Sequence, residues 1–373
     1  MNTHSCDLLV VGAGIVGLAH AHEAARRGLK VIVLERDAMC IGASIRNFGF
    51  VTVTGQKAGA SWNRARRSRE VWAALAPQAG IEVLHQGLWL RAQRPAAHAV
   101  LQAFLRTEMG ERCELLSPAE AAQRHPALRT EGLQSVLYSP HELRVESRTA
   151  IPLLSRWLAE SLGVEFRFGE AVQSVQAPVV ESSRASYRAE RVVVCTNAEL
   201  SGLFAPQWDA DALRLCQLQM LRVRPAPGLR LQGSVMGDLS LIRYEGYSEL
   251  AEAQALREQL QREEAASLQH GIHLIAVQSA DGSLVVGDSH HYGPVLPPFA
   301  LEEVDQLILR HLREAVQIGQ ADVVERWTGT YPSSATEPCR VHAPDAQTRV
   351  VAVTGGTGAS TAFGLAEEVF GNW

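Results

Sequence analysis

The sequence has 373 residues, 46% of them hydrophobic and 20% charged, with a formal net charge of −5 at pH 7. This length allows a substantial core and suggests two lobes, and the composition is ordinary for a globular enzyme. Because the charge balance is acidic, it provides no broad basic surface, and nucleic acids and anionic membranes are not expected as partners.

The sequence also lacks features that direct a protein out of a reducing cytoplasm. No apolar run is long enough to span a bilayer, and the first residues lack the basic region and cleavage site of a signal peptide. The six cysteines lie far apart and form no CxxC pair, which indicates neither a disulfide framework nor a zinc site. We therefore expect a cytoplasmic protein with reduced thiols and no membrane span.

A strand, a glycine-rich turn, a helix and a second strand are predicted at the start of the chain. Residues 7–12 are apolar and end at glycine, which is typical of a strand buried on both faces of a parallel sheet. The GxGxxG segment 12–17 follows, and a helical pattern then runs to Gly28. The second strand covers 30–34 and is followed directly by Glu35. This order is the fingerprint of a dinucleotide-binding βαβ unit.

Each residue of the fingerprint has a physical role. Gly12 permits the tight turn, Gly14 lets a pyrophosphate approach the backbone, and Gly17 lets helix and strand pack closely. The helix N-terminus faces the phosphate charge, and the Glu35 carboxylate can accept hydrogen bonds from a ribose diol. The residues predicted to bind the dinucleotide here are Gly12, Gly14, Ile15, Val16, Gly17, Glu35 and Arg36.

A small, polar stretch with glycines, GASIRNFGFV at 42–51, comes after the second strand. A nicotinamide dehydrogenase is expected to continue with a helix and another βαβ unit, whereas this stretch favours a loop along an extended ligand. Here the chain resembles the D-amino-acid oxidase and sarcosine oxidase group of flavoproteins, whose corresponding loop runs beside the pyrophosphate and the isoalloxazine ring. The resemblance implies that Ser44 contacts the pyrophosphate. It places Arg46, Asn47 and Gly49 near the flavin.

Two stretches, 82–145 and 213–325, have a different pattern. Short alternating runs within them, such as 217–224, 273–277 and 283–287, predict an antiparallel sheet with one wet or ligand-facing side. Helices are predicted over 249–270, as an exposed helix, and over 301–316.

The resemblance to the flavoprotein group continues through the rest of the chain. Residues 165–172 look like the strand whose valine backbone, here Val172, contacts the adenine. Residues 191–198 look like the strand and turn that return to the dinucleotide, which places Thr196 at the cofactor. The resemblance therefore covers nearly the whole chain.

The C-terminal part carries a second glycine-rich junction between a strand and a helix. A strand over 349–354 is predicted to lead through GGTGAST at 355–361 into a helix over 362–370. Backbone N–H groups and the positive helix end of such a junction suit negative charge. In the resembled group this junction faces the pyrimidine end of the flavin and stabilises charge on the reduced ring. The residues assigned to the cofactor here are Gly355, Gly358, Ala359, Ser360 and Thr361.

The predicted fold is α/β, or α+β in its two-lobe arrangement. A Rossmann-like FAD-binding lobe is interleaved with an antiparallel-sheet substrate lobe. The FAD-binding domain is predicted to be discontinuous, with residues 1–81, 146–212 and 326–373. The substrate-binding domain takes the two remaining stretches, 82–145 and 213–325.

Polar side chains concentrate where the antiparallel sheet should approach the flavin, above all in the run GDSHHY at 287–292. Each has a structural alternative, because a lone His or Tyr on a strand is more often hydrogen-bonded within the fold than bound to a ligand. Adjacent residues on a strand point to opposite faces, so His290 and His291 predict no metal site. The candidates for substrate binding are Arg46, Arg243, Tyr244, His290, His291 and Tyr331.

Several segments resemble a narrower bacterial subfamily of FAD-dependent oxidoreductases associated with aminophosphonate catabolism. They are SIRNFGF, HPALR, SPHELRVESR, QLQML, GDSHHYG and TGGTGAST. The resemblance implies oxidation of the C–N bond of 2-aminoethylphosphonate or its N-methyl derivative. The expected products are phosphonoacetaldehyde and the released amine.

For this reaction we hypothesise hydride transfer to flavin N5 followed by hydrolysis of the imine. Because the flavin carries the chemistry, no decisive acid–base residue is expected. Arg46, Arg243 and one or both histidines would bind the phosphonate dianion, since arginine offers a planar fork of donors.

Two departures from the resembled group concern the flavin. Trp327–Tyr331 lacks the cysteine that tethers flavin in some relatives, so non-covalent FAD is expected. Val285 stands where sarcosine oxidases have a lysine that helps oxygen react, which leaves oxygen or another carrier open as electron acceptor.

Two alternative functions also stay open. The same enzyme class includes oxidases or dehydrogenases of glycine, sarcosine or a D-amino acid. A different class is an electron-transfer flavoprotein subunit without turnover of its own. That class predicts a large exposed apolar patch and a closed or missing substrate pocket.

Overall fold

Two β-sheets and eleven α-helices make up the computed structural model, which describes residues 3–208 and 213–373. The predicted FAD-binding segments also include residues 1–2 and 209–212, which lie outside the described residues. In chain order the strands are β1 (Thr3–Val11), β2 (Val31–Glu35), β3 (Phe50–Val51), β4 (Val83–Ala92), β5 (Glu114–Leu116), β6 (Ser135–Val145), β7 (Glu165–Phe168), β8 (Val172–Gln176), β9 (Val179–Ser182), β10 (Ser186–Val194), β11 (Leu213–Arg224), β12 (Ser234–Met236), β13 (Ile275–Gln278), β14 (Leu284–Gly287), β15 (His291–Gly293), β16 (Asp322–Ser334), β17 (Cys339–His342) and β18 (Thr348–Val353). The helices are α1 (Ile15–Arg26), α2 (Ala60–Leu75), α3 (Pro95–Phe104), α4 (Pro118–Arg124), α5 (Ser147–Leu162), α6 (Asp238–Leu241), α7 (Glu245–Ser248), α8 (Ala253–Glu263), α9 (Ala265–Gln269), α10 (Glu302–Ala315) and α11 (Gly358–Gly371).

The first sheet has eight strands in the order β17-β18-β10-β1-β2-β7, with β9 paired to β10 and β8 to β9. Strand β1 is parallel to both β10 and β2, and β18 is parallel to β10. Leu8 and Val10 of β1 point into the core that contains α1, whereas Leu9 and Val11 point into a second core on the other face. Burial on both faces explains the continuous apolar run of this strand. The parallel pairing brings the carboxyl ends of β1, β10 and β18 to one edge.

The second sheet has ten strands in the order β15-β11-β14-β13-β12-β4-β6-β3, with β16 paired to β11 and β5 to β6. Its pairs are antiparallel except for β12 with β4. Two of its strands, β3 and β16, overlap the predicted FAD-binding segments, so the chain passes between the sheets at these points. The predicted domain bounds stay a prediction.

The hairpin of β13 and β14 is buried on both faces. Ile275 and Val285 point into one core cluster, while Ala276 and Val286 pack with α10 in another. Neither face of these strands is wet. The sequence predicted that one side of this sheet faces either water or a ligand. In this hairpin one side faces the cavity described below, because Ile275 lines it.

Three elements differ from their predicted extents. The helix predicted over 249–270 is divided into α8 and α9 at Glu264, whose φ of −125° and ψ of 32° interrupt the helix. Residues 165–172 form strand β7 and the first residue of β8, separated by Gly169 with φ +68°. Helix α11 begins at Gly358, because part of the glycine-rich junction forms its first turn.

In the described residues, every helix is too short or too polar to cross a lipid bilayer.

Candidate active site

A cavity of about 830 Å³ opens between the carboxyl edge of the first sheet and one face of the second. On one side it is lined by residues at the ends of β1, β10 and β18, and on the other by residues of β11, β13 and β16. Open α/β sheets bind their ligands at this edge. The cavity is therefore the candidate active site.

The glycine turn after β1 brings the backbone close to itself. Gly12 has φ +102°, and a Cβ at this position would lie 2.7 Å from the carbonyl oxygen of Cys195. A Cβ at Gly17 would lie 1.9 Å from the Gly12 carbonyl oxygen, so only glycine allows α1 to pack this closely on the turn. Gly12 and Gly14 line the cavity, whereas Gly17 does not.

Acidic and basic side chains follow at the end of β2. The Glu35 carboxylate accepts the backbone N–H of Ala13 at 2.9 Å and that of Asp37 at 3.1 Å. The Arg36 guanidinium donates to Glu199 at 3.1 Å. The two hydrogen bonds hold the Glu35 carboxylate between the glycine turn and Asp37. Glu35 and Arg36 both line the cavity.

The loop after β2 is held by side chains that the sequence assigns to the cofactor. Ser44 Oγ accepts the backbone N–H of Ile15 at 2.9 Å, which ties the loop to the first turn of α1. The Asn47 amide donates to two carbonyl groups of the loop and accepts the N–H of Gly49 at 2.7 Å. A Cβ at Gly49 would lie 1.7 Å from the Val145 carbonyl oxygen. Gly49 therefore lets the loop pass β6 and does not line the cavity.

The junction between β18 and α11 lines the same cavity. A Cβ at Gly358 would lie 3.4 Å from Ile15 Cγ2, so the N-termini of α1 and α11 are neighbours. Both helix ends present backbone N–H groups and positive dipole ends. Thr361 lies one turn further on, where its hydroxyl donates to the Thr357 carbonyl oxygen at 2.9 Å, outside the cavity lining.

Most of the residues predicted to bind the cofactor are thus brought to one cavity. Gly17, Gly49 and Thr361 are outside its lining. Those in the lining are Gly12, Gly14, Ile15, Val16, Glu35, Arg36, Ser44, Arg46, Asn47, Val172, Thr196, Gly355, Gly358, Ala359 and Ser360.

Arg243 supplies positive charge to the side of the cavity formed by the second sheet. Its guanidinium donates to the Tyr292 hydroxyl at 3.2 Å and to the Tyr331 hydroxyl at 3.3 Å. Among the described residues, no carboxylate forms a hydrogen bond with Arg243. A cation whose partners are neutral hydroxyl groups is free to bind an anionic group of a ligand.

The other predicted substrate residues separate into two groups. Arg46, Tyr244 and His290 line the cavity with Arg243 and Tyr331. His291 does not line it, because its ring pairs instead with His270, with 3.1 Å between Nε2 and Nδ1.

His290 lies in a buried cluster with His273 and Asp288, and all three line the cavity. His273 Nε2 is 3.2 Å from Asp288 Oδ1, and His290 Nε2 is 3.6 Å from Asp288 Oδ2. One ring nitrogen of each histidine and one oxygen of the Asp288 carboxylate all lie within 4.8 Å of one another. The prediction of no metal site rested on His290 and His291 alone, whereas this group joins His290 to His273 and Asp288.

Burial determines the charge states of the cluster. It raises the pKa of Asp288 from 3.8 to about 7, although the positive charge of Arg243 opposes this shift. Burial and then the charge of Arg243 hold the pKa values of His273 and His290 well below 6.5. The two imidazoles are therefore neutral at pH 7, and the carboxyl group titrates near neutrality.

Three residues of the site were not selected from the sequence. Asp288 and Tyr292 belong to the polar run 287–292, and His273 begins a predicted strand. The β13–β14 hairpin places His273 beside Asp288, where their backbones exchange hydrogen bonds of 3.3 and 3.1 Å. Pairing the two predicted strands across their turn would have brought these side chains together in advance.

Comparison with protein families gives a match over almost the whole chain. The model of the family described as "DAO: FAD dependent oxidoreductase" matches residues 7–370. A glycine oxidase of Geobacillus kaustophilus is 25% identical over 209 residues, which cover 52% of this chain and 55% of that protein. The chain thus matches about half the length of this curated relative.

Solved structures with the same fold cover nearly all of the chain. The structure of the G. kaustophilus glycine oxidase has a TM-score of 0.77 at 20% identity and covers 98% of this chain and 94% of that one. L-proline dehydrogenase from P. horikoshii has a TM-score of 0.78 at 16% identity and covers 99% and 93%. L-α-glycerophosphate oxidase from Mycoplasma pneumoniae, with FAD bound, has a TM-score of 0.75 at 15% identity and covers 100% and 96%. At these sequence identities, the structural similarity to the three proteins establishes the fold of this chain.

Proposed function

This chain belongs to the DAO family of FAD-dependent oxidoreductases, and from this premise we propose that it oxidises the carbon–nitrogen bond of a small amine or amino acid with an anionic group. One observation carries the proposal. A single cavity has two helix N-termini and the glycine turn along one part, and Arg243 with its two tyrosine hydroxyls along another.

The residues along the cavity fit FAD. Gly12 and Gly14 line the cavity and carry no side chain, so a pyrophosphate can approach their backbone. The N-termini of α1 and α11 would hold the pyrophosphate and the pyrimidine end of the ring, and Glu35 would hold the ribose diol. When bound, FAD would supply the hydride acceptor for oxidation of the carbon that carries the amine.

Arg243 would hold the anionic group of the substrate. Tyr292 and Tyr331 keep the guanidinium in place without neutralising it, since both are hydroxyl acceptors. This leaves the remaining N–H groups of the guanidinium for a carboxylate or phosphonate. Fixing this end of the substrate also fixes the position of the C–H bond to be broken.

For the substrate itself we infer an aminophosphonate, such as 2-aminoethylphosphonate or its N-methyl derivative. A phosphonate dianion needs more positive charge than a carboxylate, and Arg46 lines the same cavity as Arg243. The Arg46 guanidinium donates to the Thr328 carbonyl oxygen at 3.5 Å, a weak contact that a ligand can replace. The narrower sequence resemblance supports the same substrate.

Glycine, sarcosine or a D-amino acid is the second candidate substrate class. It is favoured by the match to a glycine oxidase and by the fact that a single arginine with tyrosine hydroxyls suffices for a carboxylate. The electron-transfer alternative predicts a closed or missing substrate pocket. The same cavity continues from the residues assigned to FAD to Arg243, His273 and Asp288, which argues against that alternative.

A flavin-reduction screen tests the proposal. Purified holoenzyme is mixed without oxygen with 2-aminoethylphosphonate, its N-methyl derivative, glycine, sarcosine and D-alanine, and the flavin absorbance near 450 nm is followed. We expect the aminophosphonates to bleach the flavin fastest. Faster bleaching by the amino acids would favour the second candidate, and no bleaching by any amine would exclude C–N oxidation.

Two further properties are measured in the same preparation. Admitting oxygen after reduction shows whether oxygen or another carrier is the electron acceptor, which the sequence leaves open at Val285. Precipitation with acid tests whether the FAD is non-covalent, and we expect the flavin to remain in the supernatant.

A further inference from the structure

His290 presents an unprotonated nitrogen to a carboxylate. Its Nδ1 lies 2.8 Å from the carbonyl oxygen of Gly271, which can only accept, so Nδ1 carries the proton. In the neutral ring Nε2 is then a lone-pair acceptor. This atom faces Asp288 Oδ2 at 3.6 Å.

Ser240 can hold His273 in the same tautomer from the other side. Its Oγ lies 3.2 Å from His273 Nδ1, and the Ser240 hydroxyl is itself placed to donate to the Leu274 carbonyl oxygen at 3.4 Å. When the hydroxyl donates to this carbonyl group, it accepts from His273 Nδ1–H, and His273 Nε2 then also has a lone pair. This atom faces Asp288 Oδ1 at 3.2 Å, and Oδ1 has no hydrogen-bond partner among the described residues.

With Asp288 ionised and both histidines in this tautomer, the cluster is a set of buried acceptors without a donor between them. Buried acceptors of this kind are costly unless a hydrogen-bond donor or a cation joins them. A substrate ammonium supplies both a positive charge and up to three N–H donors. A divalent metal would add two charges beside the Arg243 guanidinium, whereas a zwitterionic substrate brings its own anionic group to Arg243.

We propose that His273 Nε2, His290 Nε2 and the Asp288 carboxylate bind the amino group of the substrate, and that Asp288 accepts the proton that this group must lose. The inference rests on the proposed function, because it identifies the part of the site that selects an amine. It makes Asp288 a catalytic residue, where the sequence predicted no decisive acid–base group.

The step is a proton transfer without oxidation. An N–H bond of the ammonium breaks, an O–H bond forms on Asp288, and the electron pair remains on the nitrogen. The amine is then neutral, as removal of a hydride from the adjacent carbon requires. The substrate class that fits both ends of the site is a small zwitterion, with its ammonium at the cluster and its anionic group at Arg243.

The surroundings of Asp288 suit a proton acceptor. Burial brings its pKa to about 7, so the carboxyl group can both take up and release a proton near neutral pH. In the part of the chain that the structure describes, the titratable side chains around the cluster include Cys216, Arg243, Tyr244, His270, His291, Tyr292 and Tyr331.

The test compares Asp288→Asn with Asp281→Asn in the holoenzyme. Asp281 lies in the turn of the same hairpin, where it accepts the N–H and hydroxyl of Ser283, so it controls for loss of a carboxylate in this hairpin. Binding of N-methyl-2-aminoethylphosphonate and of amine-free ethylphosphonate is measured for both variants by the perturbation of the flavin spectrum, recorded before reduction.

We expect Asp288→Asn to weaken binding of the amine about tenfold or more and to leave ethylphosphonate binding unchanged within about twofold. Equal binding of the amine by Asp288→Asn and by the wild type would overturn the proposal. Because the binding measurement needs no turnover, it decides the matter even when no amine reduces the flavin, so failure of the proposed function is recognised separately.

A pH profile of anaerobic flavin reduction separates proton transfer from a structural effect. At pH 7 the limiting rate should fall about 100-fold in Asp288→Asn. Between pH 7 and 9 it should rise about tenfold per pH unit, because the amine then loses its proton in solution. A profile parallel to that of the wild type would contradict the proton-acceptor role.

Two further measurements complete the test. If Asp288→Asn does not retain FAD, His290→Gln replaces it, with the same selective loss of amine binding expected. Metal analysis of the wild type should find no stoichiometric divalent metal. One metal per chain that is lost in the variant would overturn the proposal in favour of a metal site.

Discussion

The hydroxyl oxygen of Ser44 accepts the backbone N–H of Ile15 at 2.9 Å, so the loop after β2 completes the hydrogen bonding of the first turn of α1. Gly14, the N-cap residue of this helix, has no side chain for the purpose. The cap is therefore supplied from a position 29 residues further along the chain. This bond links the stability of the helix to the order of the loop on which FAD would lie.

Replacing Ser44 with alanine should affect both properties. Loss of a helix-capping hydroxyl costs about 1 kcal/mol, so the free energy of unfolding should fall by that amount, and FAD affinity should fall about five- to tenfold. Denaturant unfolding and flavin titration of the apoprotein measure the two effects. Ser155→Ala is the matched control, since Ser155 Oγ donates to the Ile151 carbonyl oxygen within α5. An equal loss in both variants would contradict the special role of Ser44.

Gly17→Ala should destabilise the FAD-binding fold. The added Cβ would lie 1.9 Å from the Gly12 carbonyl oxygen, and this backbone atom cannot move without displacing the turn. Overpacking of this kind typically costs about 1–3 kcal/mol. Gly237→Ala is the control, because a Cβ there would meet nothing within 4 Å. We expect Gly237→Ala to unfold like the wild type, and similar denaturation midpoints for both variants would argue against close helix–turn packing.

His20→Leu should reduce the acid sensitivity of the protein. Burial lowers the pKa of His20 from 6.5 to about 4, so the unfolded chain binds more protons than the folded one between these values. The neutral His20 side chain therefore stabilises the folded state above pH 6.5, and this stabilisation is lost as the pH falls toward 4. At pH 5 the loss in unfolding free energy is about 2 kcal/mol.

The measurement is the unfolding free energy of wild type and variant at pH 7 and pH 5. The difference between the two pH values should be about 2 kcal/mol smaller in His20→Leu. His342→Leu, on strand β17, controls for loss of a half-buried histidine elsewhere. An unchanged pH dependence in His20→Leu would refute the assignment.

Arg243→Met tests the anion-binding role of this residue. Removing a charged hydrogen-bonding partner costs about 1.5–3 kcal/mol, so the apparent Kd of an anionic amine should rise about 10- to 100-fold. Ethylamine, which has no anionic group, should lose much less. Stopped-flow flavin reduction gives both constants. A proportional loss for both amines would show that Arg243 acts on something other than the anion.

Arg46→Met distinguishes the two substrate classes. If a phosphonate dianion is bound by both arginines, this change should weaken aminophosphonate binding about tenfold and alter sarcosine binding little. Arg66→Met is the control, since Arg66 lies over the Trp62 ring, with 4.7 Å to its centroid, and does not line the cavity. Equal effects of Arg46→Met on both ligands would favour the carboxylate substrate.

The cofactor region was largely predictable from the sequence because its constraints are local. Gly17 is needed because a Cβ there would lie 1.9 Å from the carbonyl oxygen of Gly12 in the same turn, and the alternation of β1 between two cores appears as a continuous apolar run. For Gly49, in contrast, the constraint comes from a part of the backbone that is distant in sequence. Gly49 is required by the Val145 carbonyl group, which no pattern near residue 49 reveals.

The side of the cavity formed by the second sheet was predicted less completely because its contacts are tertiary. Asp288 and His290 are close in sequence, but their partner His273 lies just before β13, on the other arm of the hairpin. His291, by contrast, was predicted to bind the substrate, but its ring contacts His270 and lies outside the cavity lining. Spacing along one strand could not decide between these two histidines, because the choice depends on which element packs against each ring.

The adjacency of Ile15 and Gly358 bears on how the protein is made. The two helix ends that would hold FAD come from positions more than 340 residues apart, and β18 must pair with β10 before α11 can reach α1. A growing chain on the ribosome therefore carries only one of these two helix ends until residue 358 and the helix after it have emerged. A site with both helix ends would form only after α11 has been synthesised.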